Sequence, residues 1–214
     1  MKKAVILDFD GTLGDTCSLI VRTMHETLDE LNLPQKSDEE CAAMIGLPLK
    51  QTFTELMPMS DETGNMCEAT YCRLFTINNK PGAVPLFPNV HDTIARLHSR
   101  GMILTIASSR LRASLEGYLR DLKLEEYISY IVSASDIERA KPSPDMVIKT
   151  LDAINVKPEE TIVVGDTLYD IRMAHSAGVE AVGVTYGNGK REELEAEKAE
   201  YIIDDFKELL GIIS

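Results

Sequence analysis

The feature that most restricts the fold is an alternation along the chain. Short apolar runs rich in β-branched residues recur at 4–9, 103–107, 131–132, 162–165 and 181–184, and segments of helical period separate most of them. Strands that read as continuous apolar runs are buried on both faces, and successive parallel strands need a long crossover between them. The pattern therefore predicts an α/β fold, a Rossmann-like parallel sheet covered by helices. Several helices have readable ends. Val90, Ile94 and Leu97 make one stripe that stops at Gly101, and Ile171 and Ala174 make another that stops at Gly178. Ser143-Pro144-Asp145 reads as an N-cap, a proline at the first helical position and an early acid, leading into Val147, Ile148, Leu151 and Ile154.

One stretch breaks the alternation. Between Thr16 and about Thr76 there is no strand run, only helical patterns: Ile20/Met24/Leu28/Leu31, then 38–44, then 49–57, then a helix from Ser60. A block of helices placed directly after the first strand predicts an inserted all-α cap domain over 15–81, with Asn78-Asn79-Lys80-Pro81-Gly82 at its exit. The α/β core is then discontinuous, made of 1–14 and 82–214, which suits a chain of 214 residues. The charged run 191–200 reads as a solvated helix face.

Composition removes several function classes. Lys plus Arg number 22 against 35 Asp plus Glu, a formal net charge of −13, and no basic stripe is present. Such a chain repels a phosphodiester backbone, so nucleic acid is not an expected partner. No window approaches the ~18 apolar residues of a membrane span, and the run 4–7 is too short for a signal peptide. Cys17, Cys41, Cys67 and Cys72 fall in predicted helices with no Cys-x-x-Cys pair, the pattern of reduced packed thiols. The expectation is a cytoplasmic monomer or homodimer acting on a small molecule.

In an open parallel sheet, ligands bind beyond the carboxyl ends of the strands. Those ends carry Asp8-Phe9-Asp10-Gly11-Thr12, Ser108-Ser109-Arg110, and Gly165-Asp166 with Asp170 one turn further on; Lys141 precedes Pro142 in a loop before another helix. Carboxylates facing one crevice repel each other unless a cation binds among them. Oxygen-only ligation without His or Cys suits Mg²⁺, which accepts a few carboxylates and keeps room for water and a phosphate oxygen. Asp8 and Asp10 alternate along an extended segment and should point in different directions. The expected ligands are thus the Asp8 carboxylate, the Asp10 backbone carbonyl and Asp166, with Asp170 directly behind or bridged by water. His25, His91, His98 and His175 sit on predicted helices without partners at catalytic spacing and read as structural or surface residues.

Together Asp8-Phe9-Asp10-Gly11-Thr12-Leu13, Ser108, Lys141-Pro142 and Gly165-Asp166-Thr167-x-x-Asp170 resemble the four motifs of the haloacid dehalogenase superfamily, in order. The match is close to its phosphoglycolate phosphatase and β-phosphoglucomutase branch, whose helical cap follows the first motif. The resemblance implies a Mg²⁺-dependent phosphatase with Asp8 as nucleophile, Asp10 as general acid and base, Ser108 and Lys141 as phosphoryl-binding groups, and Asp166 with Asp170 as the metal motif. Thr12, Ser109 and Arg110 are further candidates for substrate contact, Ser109 being the alternative to Ser108, and each serine could instead cap a helix. In the cap, Ile45-Gly46-Leu47-Pro48-Leu49-Lys50 resembles the substrate-specificity loop, where Gly46 allows close approach and Lys50 could reach an anionic leaving group; an ordinary turn with an exposed lysine is the other reading. Two residues depart from the family pattern. Gly14 predicts a looser hinge, and Asn89 stands where a glycine is common.

The expected substrate is a small phosphate monoester, phosphoglycolate-like or a sugar phosphate. A phosphosugar mutase is the alternative, lowered by the lack of a His/Lys pair beyond Asp15, and pyrophosphate ranks below it. A receiver-type signalling module would put its phosphorylated Asp on a later strand and carry no helical insert. Dehalogenation leaves Asp10 and the metal motif without a role.

Overall fold

The computed structural model describes residues 1–80 and 82–213; Pro81, part of the expected exit segment and cap boundary, and Ser214 lie outside the described residues. The chain runs β1 (Ala4–Leu7), α1 (Cys17–Glu30), α2 (Asp38–Ala42), α3 (Leu49–Leu56), α4 (Asp61–Asn78), α5 (Val90–Ser99), β2 (Ile103–Ala107), α6 (Arg112–Asp121), β3 (Ile128–Val132), α7 (Asp145–Ile154), β4 (Thr161–Gly165), α8 (Leu168–Ser176), β5 (Glu180–Val184), α9 (Arg191–Ala196), β6 (Tyr201–Ile203) and α10 (Leu209–Ile212). Among the described residues the six strands form one sheet in the order β3-β2-β1-β4-β5-β6, every pairing parallel. The predicted α/β, Rossmann-like architecture is what the chain adopts. Strand order reverses at β1, so the ends of β1 and β4 flank the crevice where such sheets bind ligands.

Alternation along β1 explains the layers. Val5 and Leu7 pack in one buried cluster with Ile94 of α5 and Ile106 of β2, whereas Ile6 faces a second cluster with Val147 of α7 and Ile171 of α8. The helices α1 to α4 bury Met24, Leu28, Phe53, Cys67, Tyr71 and Phe75 among themselves, continuous with the first cluster. Ser37 and Glu40 form a reciprocal capping box at the start of α2, and Ser60 accepts from the Thr63 N–H at the start of α4. The four cysteines are free thiols. Among the described residues no helix is long and apolar enough to cross a membrane.

Several expectations shift. The first strand ends at Leu7, because residues 9–14 turn back on themselves with the Leu13 and Gly14 N–H groups both donating to the Phe9 carbonyl. β3 begins at Ile128, three residues early, and β6 was not foreseen: three residues at a sheet edge carry too little pattern to register. Helix α7 starts at Asp145, one residue later than the proline signal implied; Pro144 flanks it, and the Ser143 hydroxyl donates to the Asp145 carboxylate rather than capping the backbone. The charged run does form α9, with Leu194 buried beneath it. Gly14 is not loose: a Cβ there would come 3.0 Å from the Phe9 ring, and residue 14 bridges to Leu86. Asn89 adopts φ 63°, the left-handed region that Asn tolerates better than most side chains, and its Nδ2 donates to Asp205.

Candidate active site

Register brings the acidic residues together. Leu7 of β1 lies beside Val164 of β4, and the Asp8 N–H donates to the Val164 carbonyl at 2.9 Å, so Asp8 and Asp166 leave adjacent strand ends. One carboxylate oxygen from each of Asp8, Asp166 and Asp170 lies within 4.8 Å of the others, and all three residues are buried. The Lys141 ammonium donates to Asp8 Oδ1 and Asp170 Oδ1, each at 2.6 Å, with its side chain 1% exposed. Asp170 closes the start of α8: its Oδ2 accepts from the Thr167 N–H at 3.1 Å and the Thr167 hydroxyl at 2.7 Å. Asp166 Oδ1 accepts from Thr12 Oγ1 at 3.3 Å, while its Oδ2 accepts from the backbone N–H and Nδ2 of Asn188.

Three carboxylates face one ammonium, and the electrostatics record the imbalance. Burial pushes the Asp8 pKa well above the carboxylate range; Lys141 opposes this, and Asp170, Asp166 and Asp10 reinforce it. Burial, then Asp170, raises Asp166 to about 7. Burial works against the Lys141 ammonium, but Asp170 and Asp8 outweigh it and hold its pKa above the ordinary lysine value. Such a cluster is short of positive charge. Its donor set, oxygen only, is the kind that takes a hard divalent ion.

Asp10 lies outside this cluster. Its Oδ1 accepts from Thr16 Oγ1 at 2.6 Å and from Nε and Nη2 of Arg110 at 2.9 and 2.7 Å. Both partners of that pair are largely buried, and the guanidinium lies 4.8 Å from the Tyr118 ring centre and 5.0 Å from that of Phe75. Arg110 is therefore neither solvated nor free. Ser108 is buried, its Oγ accepting from the Arg110 N–H at 3.3 Å. Neither Ser108 nor Ser109 caps α6, whose flanking residue is Leu111. Ser109 Oγ donates instead to the Gly46 carbonyl at 2.7 Å, tying the loop before α3 to the sheet end. Gly46 has φ 104°, a conformation that favours glycine, and this turn sets its carbonyl against Ser109. Lys50 is turned to Asp61, 2.5 Å away, and away from the carboxylate cluster. A cavity of about 660 Å³ separates these elements, lined by Asp8, Asp10, Ser109 and Arg110 on the sheet side and by α1, α3 and α4 opposite.

Sequence reasoning missed the loop after β5. A Cβ at Gly187 would lie 2.4 Å from the Asp166 Cβ, and one at Gly189 would lie 1.9 Å from the Asp166 carbonyl oxygen. Only glycines let Gly187-Asn188-Gly189 lie against Asp166 and bring the Asn188 donors to it. Two glycines flanking an Asn just past a strand end were the available signal. The four histidines do stay outside the site: His25 pairs with Asp38, His175 with Glu200, and His91 and His98 meet the Tyr127 ring edge-on.

Comparison with known proteins agrees with this geometry. The family model for haloacid dehalogenase-like hydrolases matches residues 5–184. A protein of Dickeya dadantii named probable phosphatase IndB is 34% identical over 216 residues, covering 99% of this chain and 93% of that one. Pyrophosphatase PpaX of Anoxybacillus flavithermus is 32% identical, covering 98% of this chain and 95% of its own. The crystal structure of a predicted phosphatase from Clostridium acetobutylicum superposes with a TM-score of 0.91 at 26% identity, covering 100% of this chain and 98% of the other.

Proposed function

This chain belongs to the haloacid dehalogenase-like hydrolases and is a phosphatase of that family; on that premise we propose that it hydrolyses a small phosphate monoester with Asp8 as nucleophile and Mg²⁺ as cofactor. The observation that carries the reading is the meeting of Asp8, Asp166, Asp170 and Lys141 in one buried cluster, three carboxylates to one ammonium. Asp8 and Asp166, with the Asp10 carbonyl, would hold the ion, and Asp170 would stand behind it, since both its oxygens already accept from Lys141 and Thr167. When bound, the ion offsets charge on the phosphoryl oxygens.

The remaining work falls to side chains. Lys141 holds one oxygen of Asp8 and so fixes the rotation of the carboxylate that attacks phosphorus. The bond from phosphorus to the leaving oxygen breaks as the aspartyl-phosphate forms, and water later cleaves that acyl phosphate. Asp10 handles the proton. Its Oδ1 is occupied, and among the described residues no donor reaches Oδ2, which leaves that oxygen to carry a proton to the leaving group and later to take one from water. A phosphoryl group entering the same cavity competes for the Arg110 guanidinium and frees Asp10 to turn toward the leaving group. Ser108, Ser109 and Thr12 complete the phosphoryl side, and the helices from Cys17 to Asn78 act as the cap over it.

The test is phosphate release from a panel of metabolite phosphates and pyrophosphate, with and without Mg²⁺, beside the Asp8→Asn protein. Expected are Mg²⁺-dependent release and its loss in the variant, with an acid-stable, hydroxylamine-sensitive phosphoprotein trapped from the wild type. Undiminished turnover by Asp8→Asn refutes the assignment. Pyrophosphate stays in the panel because relatives bear that name.

A further inference from the structure

The cavity beside Asp8 narrows the substrate class, an inference that rests on the phosphomonoesterase reading above. Its far wall is built from Ile20 and Met24 of α1, Leu47 and Leu49 at the start of α3, and Tyr71 and Phe75 of α4. Leu111, 52% exposed, adds an uncovered apolar side chain on the near side. Among the described residues two cations line the space, and each already faces a carboxylate: Arg110 is buried against Asp10, and Lys50 is paired with Asp61. Glu68 adds a negative charge to the same wall, with no ion pair among the described residues. A leaving group with a second carboxylate or phosphate would meet a cation there only by breaking one of these pairs. An uncharged one would bury hydrocarbon against six apolar side chains.

We infer that the substrate is the phosphate monoester of an uncharged, largely apolar alcohol, its body lying against the α1, α3 and α4 wall while the phosphoryl group meets Asp8. Phosphoglycolate and pyrophosphate, small and with a second anionic group on the leaving side, are poor fits for that wall.

The test uses alkyl phosphates, because a chain of methylenes changes the body of the substrate without changing the basicity of the leaving oxygen. With the full chain and Mg²⁺, kcat/KM is measured for ethyl, butyl and hexyl phosphate, for 6-phosphonooxyhexanoate, and for phosphoglycolate and pyrophosphate. Expected is a rise of about threefold to fourfold per added methylene that enters the cavity. The hexanoate should fall at least about tenfold below hexyl phosphate, with phosphoglycolate and pyrophosphate lower again. In Leu49→Lys, a new cation in the wall should shift the hexanoate-to-hexyl ratio upward by about tenfold. Equal or better use of the hexanoate or pyrophosphate by the wild type would overturn the inference and leave the phosphatase reading standing, as would an unmoved ratio in Leu49→Lys. Asp8-dependent release from none of the esters would overturn both.

Discussion

Stability of the metal-free protein should fall as pH rises from about 5 through about 7 and level off beyond, and the size of the fall follows from Asp166. Its pKa in the folded chain is about 7 against an ordinary 3.8, raised by burial and by Asp170. A group whose folded pKa is raised stabilises the fold fully below its unfolded value, and that contribution is lost as pH climbs through the folded value. Three units at about 1.4 kcal/mol each make an upper bound of about 4 kcal/mol. Asp8 is shifted in the same direction, but a proton on either carboxylate relieves the other, so the pair contributes one such increment rather than two. Acids with lowered values, such as Asp136 at about 2, are ionised in both states across this window and leave it flat. His25, raised by Gln35 and Asp38, has the same sign but is exposed, and His25→Gln removes it as a control. Urea unfolding with a chelator, at intervals across the window, should show a loss of about 2–3 kcal/mol for the wild type, the part of that bound lying above pH 5, and a much flatter curve for Asp166→Asn. Millimolar Mg²⁺ should abolish most of the wild-type slope, because a cation then replaces the proton. Parallel curves for wild type and Asp166→Asn would refute the reasoning.

Other perturbations test the same cluster from different sides. Lys141→Met leaves three buried carboxylates without their ammonium; it should cost about 3–5 kcal/mol in metal-free urea unfolding at pH 8 and lower kcat by about 10²–10³. A stability loss below about 1 kcal/mol would contradict the pairing. Arg110→Met keeps an apolar side chain over the Phe9, Phe75 and Tyr118 rings but leaves the largely buried Asp10 carboxylate without its cation and should lower stability by about 3 kcal/mol, with Arg110→Lys restoring only part of it, as thermal melts would report. Gly11→Ala would set a Cβ 2.1 Å from Asp166 Oδ2 at φ 80°; a loss of about 2 kcal/mol or more and a weakened Mg²⁺ dependence of turnover are expected, read by unfolding and by a metal titration.

Legibility in the sequence tracked how much of each feature is local. Buried strands announce themselves as apolar runs, so β1, β2, β4 and β5 were readable to within a residue or two, and the strand-end filter picked out Asp8, Asp166 and Asp170 without any contact information. The three-residue edge strand β6 has too few positions to show a period. Partnership is the other limit. Nothing at position 10 or 110 tells that these side chains, a hundred residues apart, meet as a buried pair, and an arginine beside a strand-end serine reads equally well as solvated. For Lys50 the sequence leaves open a reach into the site or an exposed lysine; it lines the cavity, and its partner Asp61 lies on the next helix, a contact set by the packing of α3 against α4. Asn188 escaped for a related reason: its value comes from two flanking glycines that permit backbone approach to Asp166, a property of a pair of elements rather than of a motif.

Those pairings change the electrostatic picture of the site. In the folded chain Lys141 is committed to Asp8 and Asp170, Arg110 to Asp10 and Lys50 to Asp61, so the three clustered carboxylates have one ammonium among them and exceed it by two charges once they shed the proton that burial favours in the metal-free protein. Surface charges are screened beyond ~8 Å, but this excess is buried and is felt at close range by any phosphate approaching Asp8. A divalent cation cancels an excess of two, whereas a monovalent one leaves half of it. A divalent ion held by Asp8 and Asp166 would therefore favour binding of the phosphoryl group beside them. With an ion bound that end would be close to neutral, and further affinity would come from the other end of the substrate, where the described wall carries hydrocarbon and aromatic faces beside a paired Lys50 and Glu68.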